Sequence, residues 1–214
     1  QALKDMRNGR FVALRDISFD VERGQSVGII GRNGEGKSTI LSLIAGVMRP
    51  TTGIVRVEGK VFPILELGSG FHPDLTGREN IILNGVLLGL TRSEMKERLN
   101  EIVEFSELGE FIDQPIRTYS TGMIARLGFS VVLAAKPDIL LVDEVLAVGD
   151  LAFQKKCFDK MLKFKDDGAT IVFVSHDMTA VKNMCEKVIW IENHTIKMIG
   201  RPEEVIEGYM RRLS

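Results

Sequence analysis

The chain of 214 residues has 28 Lys and Arg against 29 Asp and Glu, a formal net charge of −1 that argues against a broad nucleic-acid surface. Hydrophobic residues make up 44% and charged residues 27%, a composition typical of globular proteins that excludes collagen-like and disordered chains. Two cysteines are too few for a disulfide scaffold, and no apolar run has the length of a transmembrane helix.

Strand and helix patterns alternate in the first part of the chain. Apolar and polar side chains alternate over residues 16–21, which predicts a strand, and the apolar run Ser26–Ile30 predicts another. Residues 38–45 have the pattern of a helix, and residues 54–57 that of a strand between two glycines. Such alternation indicates a layered α/β core.

The middle of the chain has helical patterns instead. Two capping boxes, each a threonine with a glutamate three residues later, open helices at Thr76 and Thr91. Ser120 is the N-cap of a third predicted helix that ends near residue 135. We therefore predict a helical lobe over residues 67–135.

Strand and helix patterns alternate again after this lobe. We predict strands over residues 139–142 and 170–174, helices over 153–164 and 178–185, a hairpin over 188–199 around Asn193-His194, and a last helix from Pro202. The predicted fold class is α/β, with a mostly parallel sheet, an antiparallel β part and an inserted helical lobe. The core then consists of residues 1–66 and 136–214.

A glycine-rich stretch, Gly31-Arg32-Asn33-Gly34-Glu35-Gly36-Lys37-Ser38, lies between a predicted strand and a predicted helix and matches the phosphate-loop pattern. Glycines let backbone N–H groups turn toward an anion, and the helix N-terminus adds further N–H groups. In this reading Lys37 contacts the β- and γ-phosphates, and the Ser38 hydroxyl suits Mg²⁺. The alternative is a glycine-rich turn that matches by chance. The predicted phosphate-binding residues are Asn33, Gly34, Glu35, Gly36, Lys37, Ser38 and Thr39.

Glu35 is an unusual occupant of such a loop, because a carboxylate repels phosphate. We expect its side chain to point away from the bound anion.

Two carboxylates follow the apolar run 139–142, where an open α/β sheet builds its ligand site. Asp143 and Glu144 suggest two separate roles. One carboxylate interacts with Mg²⁺ through water, and the other polarises the attacking water. The alternative is a pair of surface acids in a loop.

Two further features have a plain structural interpretation beside the functional one. The helix that begins after Ser120 offers a second anion site at its N-terminus, or Ser120 is simply a cap. His176 follows the apolar run 170–174 and can donate to a phosphate oxygen, or it is a structural histidine.

Together these residues resemble an ATP-binding cassette ATPase, and the motif order matches along nearly the whole chain. Residues 31–39 resemble the Walker A loop, 120–123 the signature motif, 139–144 Walker B with the catalytic glutamate, 147–150 the D-loop, and His176 the switch histidine. The resemblance implies a P-loop NTPase core and one nucleotide-binding domain over residues 1–214. It also implies ATP and Mg²⁺ as cofactors.

The resemblance also implies roles for individual residues. Glu144 acts on the attacking water, His176 steadies the γ-phosphate, and Lys37 offsets developing charge. Metal ligation falls to Ser38, Asp143 and Glu66, the last standing where the family has a glutamine. Phe11 takes the place of the aromatic residue that stacks on adenine, although a core phenylalanine is an equal alternative. Signature residues that bind the nucleotide of a second copy are Ser120, Gly122 and Met123.

Three stretches narrow the resemblance to ATPase subunits that export bacterial surface polysaccharides such as O-antigen, capsule or teichoic acid. They are residues 66–80, 119–123 and 143–157. The resemblance implies a homodimer with ATP at its interface, and a transmembrane permease contacted through the 66–77 loop. It places the chain at the cytoplasmic face of the cell membrane, without nucleic acid. The alternatives are a cassette ATPase for another cargo, such as a drug or lipid, and a soluble cassette ATPase.

Overall fold

The computed structural model describes residues 11–64, 67–143 and 149–213, and within them the chain forms six strands and seven α-helices. The strands are β1 (Ser26–Ile30), β2 (Val61–Ile64), β3 (Ile139–Asp143), β4 (Thr170–Val174), β5 (Lys187–Glu192) and β6 (Thr195–Gly200). The helices are α1 (Lys37–Ile44), α2 (Gly77–Leu87), α3 (Arg92–Ser106), α4 (Thr121–Ala134), α5 (Leu151–Asp166), α6 (Met178–Met184) and α7 (Pro202–Leu213). Short 3-10 turns cover Gly109–Asp113 and Ile116–Thr118.

The strands form one sheet in the order β2-β3-β4-β1-β5-β6. β1 pairs in parallel with β4 and β5, whereas β6 pairs antiparallel with β5. Every residue of β1 and β4 is buried, which explains why both read as continuous apolar runs. The predicted α/β class, with a mostly parallel sheet and an antiparallel part, is confirmed.

The chain divides into two compact units. The first contains Gln1–Gly59, Leu141–Glu144 and Thr170–Ser214, and the second contains Lys60–Leu140 and Val145–Ala169. Strands β1, β4, β5 and β6 form the centre of the first unit, with α1, α6 and α7 around them. The predicted helical lobe lies within the second unit, where α2, α3 and α4 pack on one another.

Local side-chain hydrogen bonds fix the helix starts of the second unit. Thr76 accepts a hydrogen bond from the Glu79 N–H at 3.3 Å, and the Glu79 carboxylate accepts one from the Thr76 N–H at 2.9 Å. Thr91 forms the same capping box at the start of α3. Both predicted capping boxes are therefore confirmed.

Two predicted strands are wrong, and one strand was missed. Residues 16–21 and 54–57 do not lie in strands, because an alternating pattern makes a strand only where a neighbour supplies the hydrogen-bond ladder. Ile54 is 77% exposed, so this stretch is not covered by a second layer. β2 was not predicted from the sequence; it contains Pro63 and lies at the sheet edge, where proline is tolerated.

Candidate functional site

The loop over residues 31–36 joins the end of β1 to the start of α1. Gly36 is the N-cap of α1 and has a φ of 95°, in the region that favours glycine. A Cβ on Gly36 would lie 2.6 Å from the Ala13 carbonyl oxygen, and one on Gly31 would overlap the Ile191 carbonyl oxygen. Backbone packs closely at both positions, so a side chain fits at neither.

The first turn of α1 has backbone donors beside this loop that precede the helical hydrogen-bond ladder. The first helical hydrogen bond runs from the Ile40 N–H to the Gly36 oxygen at 3.0 Å, so the N–H groups of the three residues between them lie before the helical ladder. Those residues are Lys37, Ser38 and Thr39. Asn33 and Gly34 are exposed at the turn of the loop, and the Ser38 side chain is exposed too. The N–H groups suit an anion such as phosphate, and the hydroxyl oxygen suits a cation bound to that anion.

Lys37 is the charged centre of the loop. It is only 7% exposed, and its Nζ donates to the carbonyl oxygens of Gly31 at 2.9 Å and Arg32 at 3.0 Å. Burial lowers the pKa of Lys37, and the negative charges of Asp143 and Glu35 oppose that shift. The ammonium group thus lies inside the loop that it braces.

The Asp143 carboxylate lies close enough to act on the Lys37 charge, and both of these charges act on His176. Asp143 is the last residue of β3, and His176 follows the end of β4. His176 is exposed, but partial desolvation lowers its pKa, the Lys37 cation lowers it further, and the Asp143 carboxylate opposes them. Three groups that lie at or beyond the ends of separate strands therefore form one electrostatic cluster, which we call the charge cluster.

The turn that positions His176 is fixed by its neighbours. The Ser175 hydroxyl accepts a hydrogen bond from the Asp177 N–H at 3.0 Å. Asp177 is the N-cap of α6, and its carboxylate accepts from the N–H groups of Thr179 at 2.8 Å and Ala180 at 3.1 Å. The stretch from 175 to 177 is thus a shaped strand-to-helix turn.

The Glu35 carboxylate accepts a hydrogen bond from the backbone N–H of His194 at 2.9 Å. This contact directs Glu35 toward the turn between β5 and β6. His194 had no predicted role, and a single histidine in a hairpin turn offers no sequence signal. Its link to the phosphate loop spans 159 positions of the chain.

Phe11 is 69% exposed, so it is not a core residue. Its ring meets the His194 ring edge-on, with 5.4 Å between the centroids and 89° between the planes. The exposed Phe11 ring thus lies next to His194, whose backbone N–H contacts the phosphate loop at Glu35.

Ser120, Gly122 and Met123 lie at the start of α4 in the second unit. The Ser120 hydroxyl accepts a hydrogen bond from the Met123 N–H at 3.2 Å, so Ser120 is an N-cap. Among the residues that the structure describes, the nearest atom to a Cβ on Gly122 would be the Ser120 hydroxyl oxygen, at 3.8 Å. The helix end is capped, and the described part of the chain leaves open space at Gly122.

Glu66 and Glu144 were predicted as a metal ligand and the catalytic base, and both lie outside the described residues. Their roles stay predictions. In the described parts of the chain, no group of three or more His, Cys, Asp or Glu side chains is arranged to hold a metal ion.

Arg126 is a residue that sequence reasoning missed. It donates to the Asp150 carboxylate at 2.8 Å, lies 3.4 Å from a Glu107 oxygen, and covers the Phe153 ring at 4.6 Å. A Cβ on Gly149 would come within 2.8 Å of the Arg126 guanidinium. Arg126 thereby joins α4 to the start of α5, and only the folded chain brings these positions together.

A phosphate loop after a central parallel strand, with carboxylate and histidine at the ends of neighbouring strands, defines a P-loop nucleotide-binding cassette. The sequence matches the ABC transporter family over residues 14–147, and the chain belongs to that family. The predicted family is confirmed.

Curated relatives narrow the comparison further. The chain is 55% identical over 214 residues to a Klebsiella pneumoniae protein named O-antigen export system ATP-binding protein RfbB, covering 100% of the chain and 87% of the relative. It is 50% identical over 199 residues to the teichoic acids export ATP-binding protein TagH of Lactococcus lactis, covering 93% of the chain but 42% of that protein. Both names agree with the predicted class of export ATPase.

Solved structures support the fold. One, described as the ATP binding subunit of an ABC transporter, has a TM-score of 0.81 at 24% identity and covers 92% of the chain and 87% of its own. Another, the dimeric cassette MJ0796 bound to ADP and Pi, has a TM-score of 0.76 at 24% identity, with 89% and 90% covered. In the part of the chain that is described, no helix has the length and apolarity needed to cross a bilayer.

Proposed function

We propose that the chain is the ATP-hydrolysing subunit of an ABC transporter that exports lipid-linked surface polysaccharide. The observation that carries this proposal is the charge cluster: Lys37, Asp143 and His176 converge beside a phosphate loop. The cargo class rests on the names of the relatives, which export O-antigen or teichoic acids.

The phosphate loop binds the triphosphate of ATP. Backbone N–H groups of the loop and of the first turn of α1 surround the phosphates, with the dipole of α1 adding attraction. The Lys37 ammonium, held by two loop carbonyls, contacts the β- and γ-phosphates. Phe11 stacks on the adenine ring through its exposed face.

The donor set fits Mg²⁺. The Ser38 hydroxyl and the Asp143 carboxylate are hard oxygen ligands, and Mg²⁺ in nucleotide sites is held by one or two such groups together with phosphates. Glu66 is a further candidate ligand. When bound, the ion neutralises charge that develops on the phosphate oxygens.

Glu144 orients or deprotonates the attacking water, and His176 steadies the γ-phosphate. Because its pKa is lowered, His176 is neutral at pH 7 and has one N–H to donate to a phosphate oxygen. Lys37 offsets the charge that develops on the transferred group.

Two copies of the chain share each nucleotide. ATP bound to the phosphate loop of one copy meets the α4 start of the other, at Ser120, Gly122 and Met123. The open space at Gly122 supports this contact, since a γ-phosphate approaches backbone N–H groups most closely where no side chain intervenes. ATP then favours the dimer and hydrolysis loosens it, which is a switch driven by differential affinity.

The dimer acts on a transmembrane permease at the cytoplasmic face of the membrane. The segment between Glu66 and Gly77 forms the contact. The Phe71 N–H donates to the Gly68 carbonyl oxygen at 3.1 Å, and the Leu75 N–H donates to the His72 carbonyl oxygen at 3.2 Å. The described part of this segment is therefore a series of turns with backbone hydrogen bonds of its own. A surface of that kind keeps its shape when it pushes on a partner.

The test is Glu144→Gln, which removes the base and keeps the size of the side chain. We expect a loss of ATP turnover of about 10²-fold or more, with retained ATP binding and an ATP-dependent dimer in light scattering. Lys37→Ala is the matched control and should abolish both ATP binding and the dimer. A Glu144→Gln protein that hydrolyses ATP at the native rate contradicts the assigned base, and one that stays monomeric with saturating ATP contradicts the shared site.

A further inference from the structure

The turn between β5 and β6 has an unusual backbone for its sequence. Asn193 and His194, which we call the hairpin turn, have φ values of 53° and 64°. A two-residue hairpin loop needs positive φ at both positions, and its second position favours glycine. Histidine at that position carries a backbone cost, so its side chain is expected to make compensating contacts.

The hairpin turn is bonded to the phosphate loop and to the segment that carries Phe11. The His194 N–H donates to the Glu35 carboxylate at 2.9 Å, and its carbonyl oxygen accepts from the Arg15 N–H at 2.8 Å. The His194 Nδ1 lies 3.1 Å from the Ala13 carbonyl oxygen. Three separate parts of the chain thus meet at one residue.

The Phe11 ring packs against this junction. Its centroid lies 5.4 Å from that of the His194 ring, with 89° between the ring planes, and Phe11 is 69% exposed. The same segment passes over the phosphate loop, because the Ala13 carbonyl oxygen lies 2.6 Å from where a Gly36 Cβ would be. A chain of contacts therefore links the Phe11 ring to the phosphate loop, through His194 and Glu35.

We propose that His194, anchored by Glu35, is a positioning residue that holds Phe11 as the platform for the nucleotide base. The inference depends on the proposed ATP site and deepens it by assigning a base-recognition role to the hairpin turn. A pre-positioned aromatic ring strengthens stacking because less conformational entropy is lost on binding. This role also accounts for a carboxylate in the phosphate loop, because the Glu35 side chain accepts a hydrogen bond from the hairpin turn.

The experiment compares a ligand with a base and a ligand without one. Calorimetry measures the Kd of a non-hydrolysable ATP analogue and of inorganic tripolyphosphate, each with Mg²⁺, for Phe11→Ala, His194→Gly and Lys197→Ala. His194→Gly keeps both backbone hydrogen bonds and suits the positive φ, so it removes only the ring. Lys197 is an exposed residue of β6 in the same hairpin and serves as the control.

We expect Phe11→Ala and His194→Gly each to raise the Kd of the ATP analogue by roughly three- to tenfold, the size of a lost aromatic contact. Binding of tripolyphosphate should be unchanged in both, and Lys197→Ala should resemble the wild type with either ligand. Glu35→Ala should lower the ratio of analogue affinity to tripolyphosphate affinity, whereas Glu35→Gln, which keeps an acceptor oxygen, should restore it.

Two results overturn the inference. If His194→Gly weakens the binding of both ligands equally, His194 stabilises the phosphate loop and has no role in binding the base. If Phe11→Ala weakens the analogue and His194→Gly does not, Phe11 stacks on the base without help. A Phe11→Ala protein with unchanged analogue affinity contradicts the adenine contact of the proposed function itself, and a wild-type chain that binds neither ligand contradicts the whole nucleotide site.

Discussion

His176 has a protonation state that follows from its neighbours. Partial desolvation and the Lys37 cation both disfavour the imidazolium, and the Asp143 carboxylate only partly offsets them. A neutral imidazole can donate one hydrogen bond to a phosphate oxygen without bringing a second positive charge beside Lys37. The chemistry proposed for His176 is therefore matched to its surroundings.

This protonation state predicts a pH dependence. The pKa of His176 is lowered from its ordinary value of 6.5, so the unfolded chain takes up the proton at a higher pH than the folded chain does. Stability should therefore fall as the pH drops below 6.5, and the ATPase rate should lose its His176-dependent part only in that acidic range.

The measurement is an NMR titration of the imidazole protons, with the His176 signal assigned by its absence in His176→Asn. A pH–rate profile of both proteins accompanies it. A His176 signal that titrates above 6.5 would contradict the assigned environment.

The helices of the second unit depend on a close approach at Gly85. A Cβ on Gly85 of α2 would overlap the side chain of Met95, which is completely buried on α3. Two helices approach this closely only where one of them lacks a side chain at the contact, and a buried methionine has little room to move aside.

Gly85→Ala should therefore destabilise the protein by about 1–3 kcal/mol through overpacking. Gly208→Ala on α7 is the matched control, because a Cβ there meets its nearest neighbour at 3.7 Å, an ordinary contact. The control should stabilise by about 0.5–1 kcal/mol through helix propensity. Urea denaturation of both variants measures the difference, and equal shifts would contradict the proposed crowding at Gly85.

A shared nucleotide site has a consequence for the whole molecule. If each site combines the phosphate loop of one copy with the α4 start of another, two defective chains can together form one intact site. Lys37→Ala damages only the phosphate loop, and Gly122→Asp damages only the α4 start, where its charge repels the γ-phosphate. The open space at Gly122 lets the new side chain fit without disturbing the fold.

Each variant alone should have little ATPase activity, and an equimolar mixture should regain a substantial fraction of the native rate. Steady-state turnover at increasing concentrations of the mixture measures this recovery. Mixing Lys37→Ala with Glu144→Gln is the control: both defects lie on the phosphate-loop side, so no intact site forms. A mixture of Lys37→Ala and Gly122→Asp that stays inactive would indicate sites confined to single chains.

Local patterns allowed much of this molecule to be predicted. The capping boxes at Thr76 and Thr91, the cap at Ser120 and the two-residue hairpin depend on residues within a few positions of one another, and all are present. The predicted strand over residues 54–57 failed because a strand needs a neighbour that local alternation cannot supply.

The sequence by itself determined the phosphate loop, the fold class and the family, because spacing, glycine content and apolar runs are written along the chain. Only the tertiary structure decided what Glu35, Arg126 and His194 contact. Their partners lie 159, 24 and 181 positions away, at His194, Asp150 and Ala13. Such contacts follow from how the elements pack, and no periodicity or motif in one sequence encodes them.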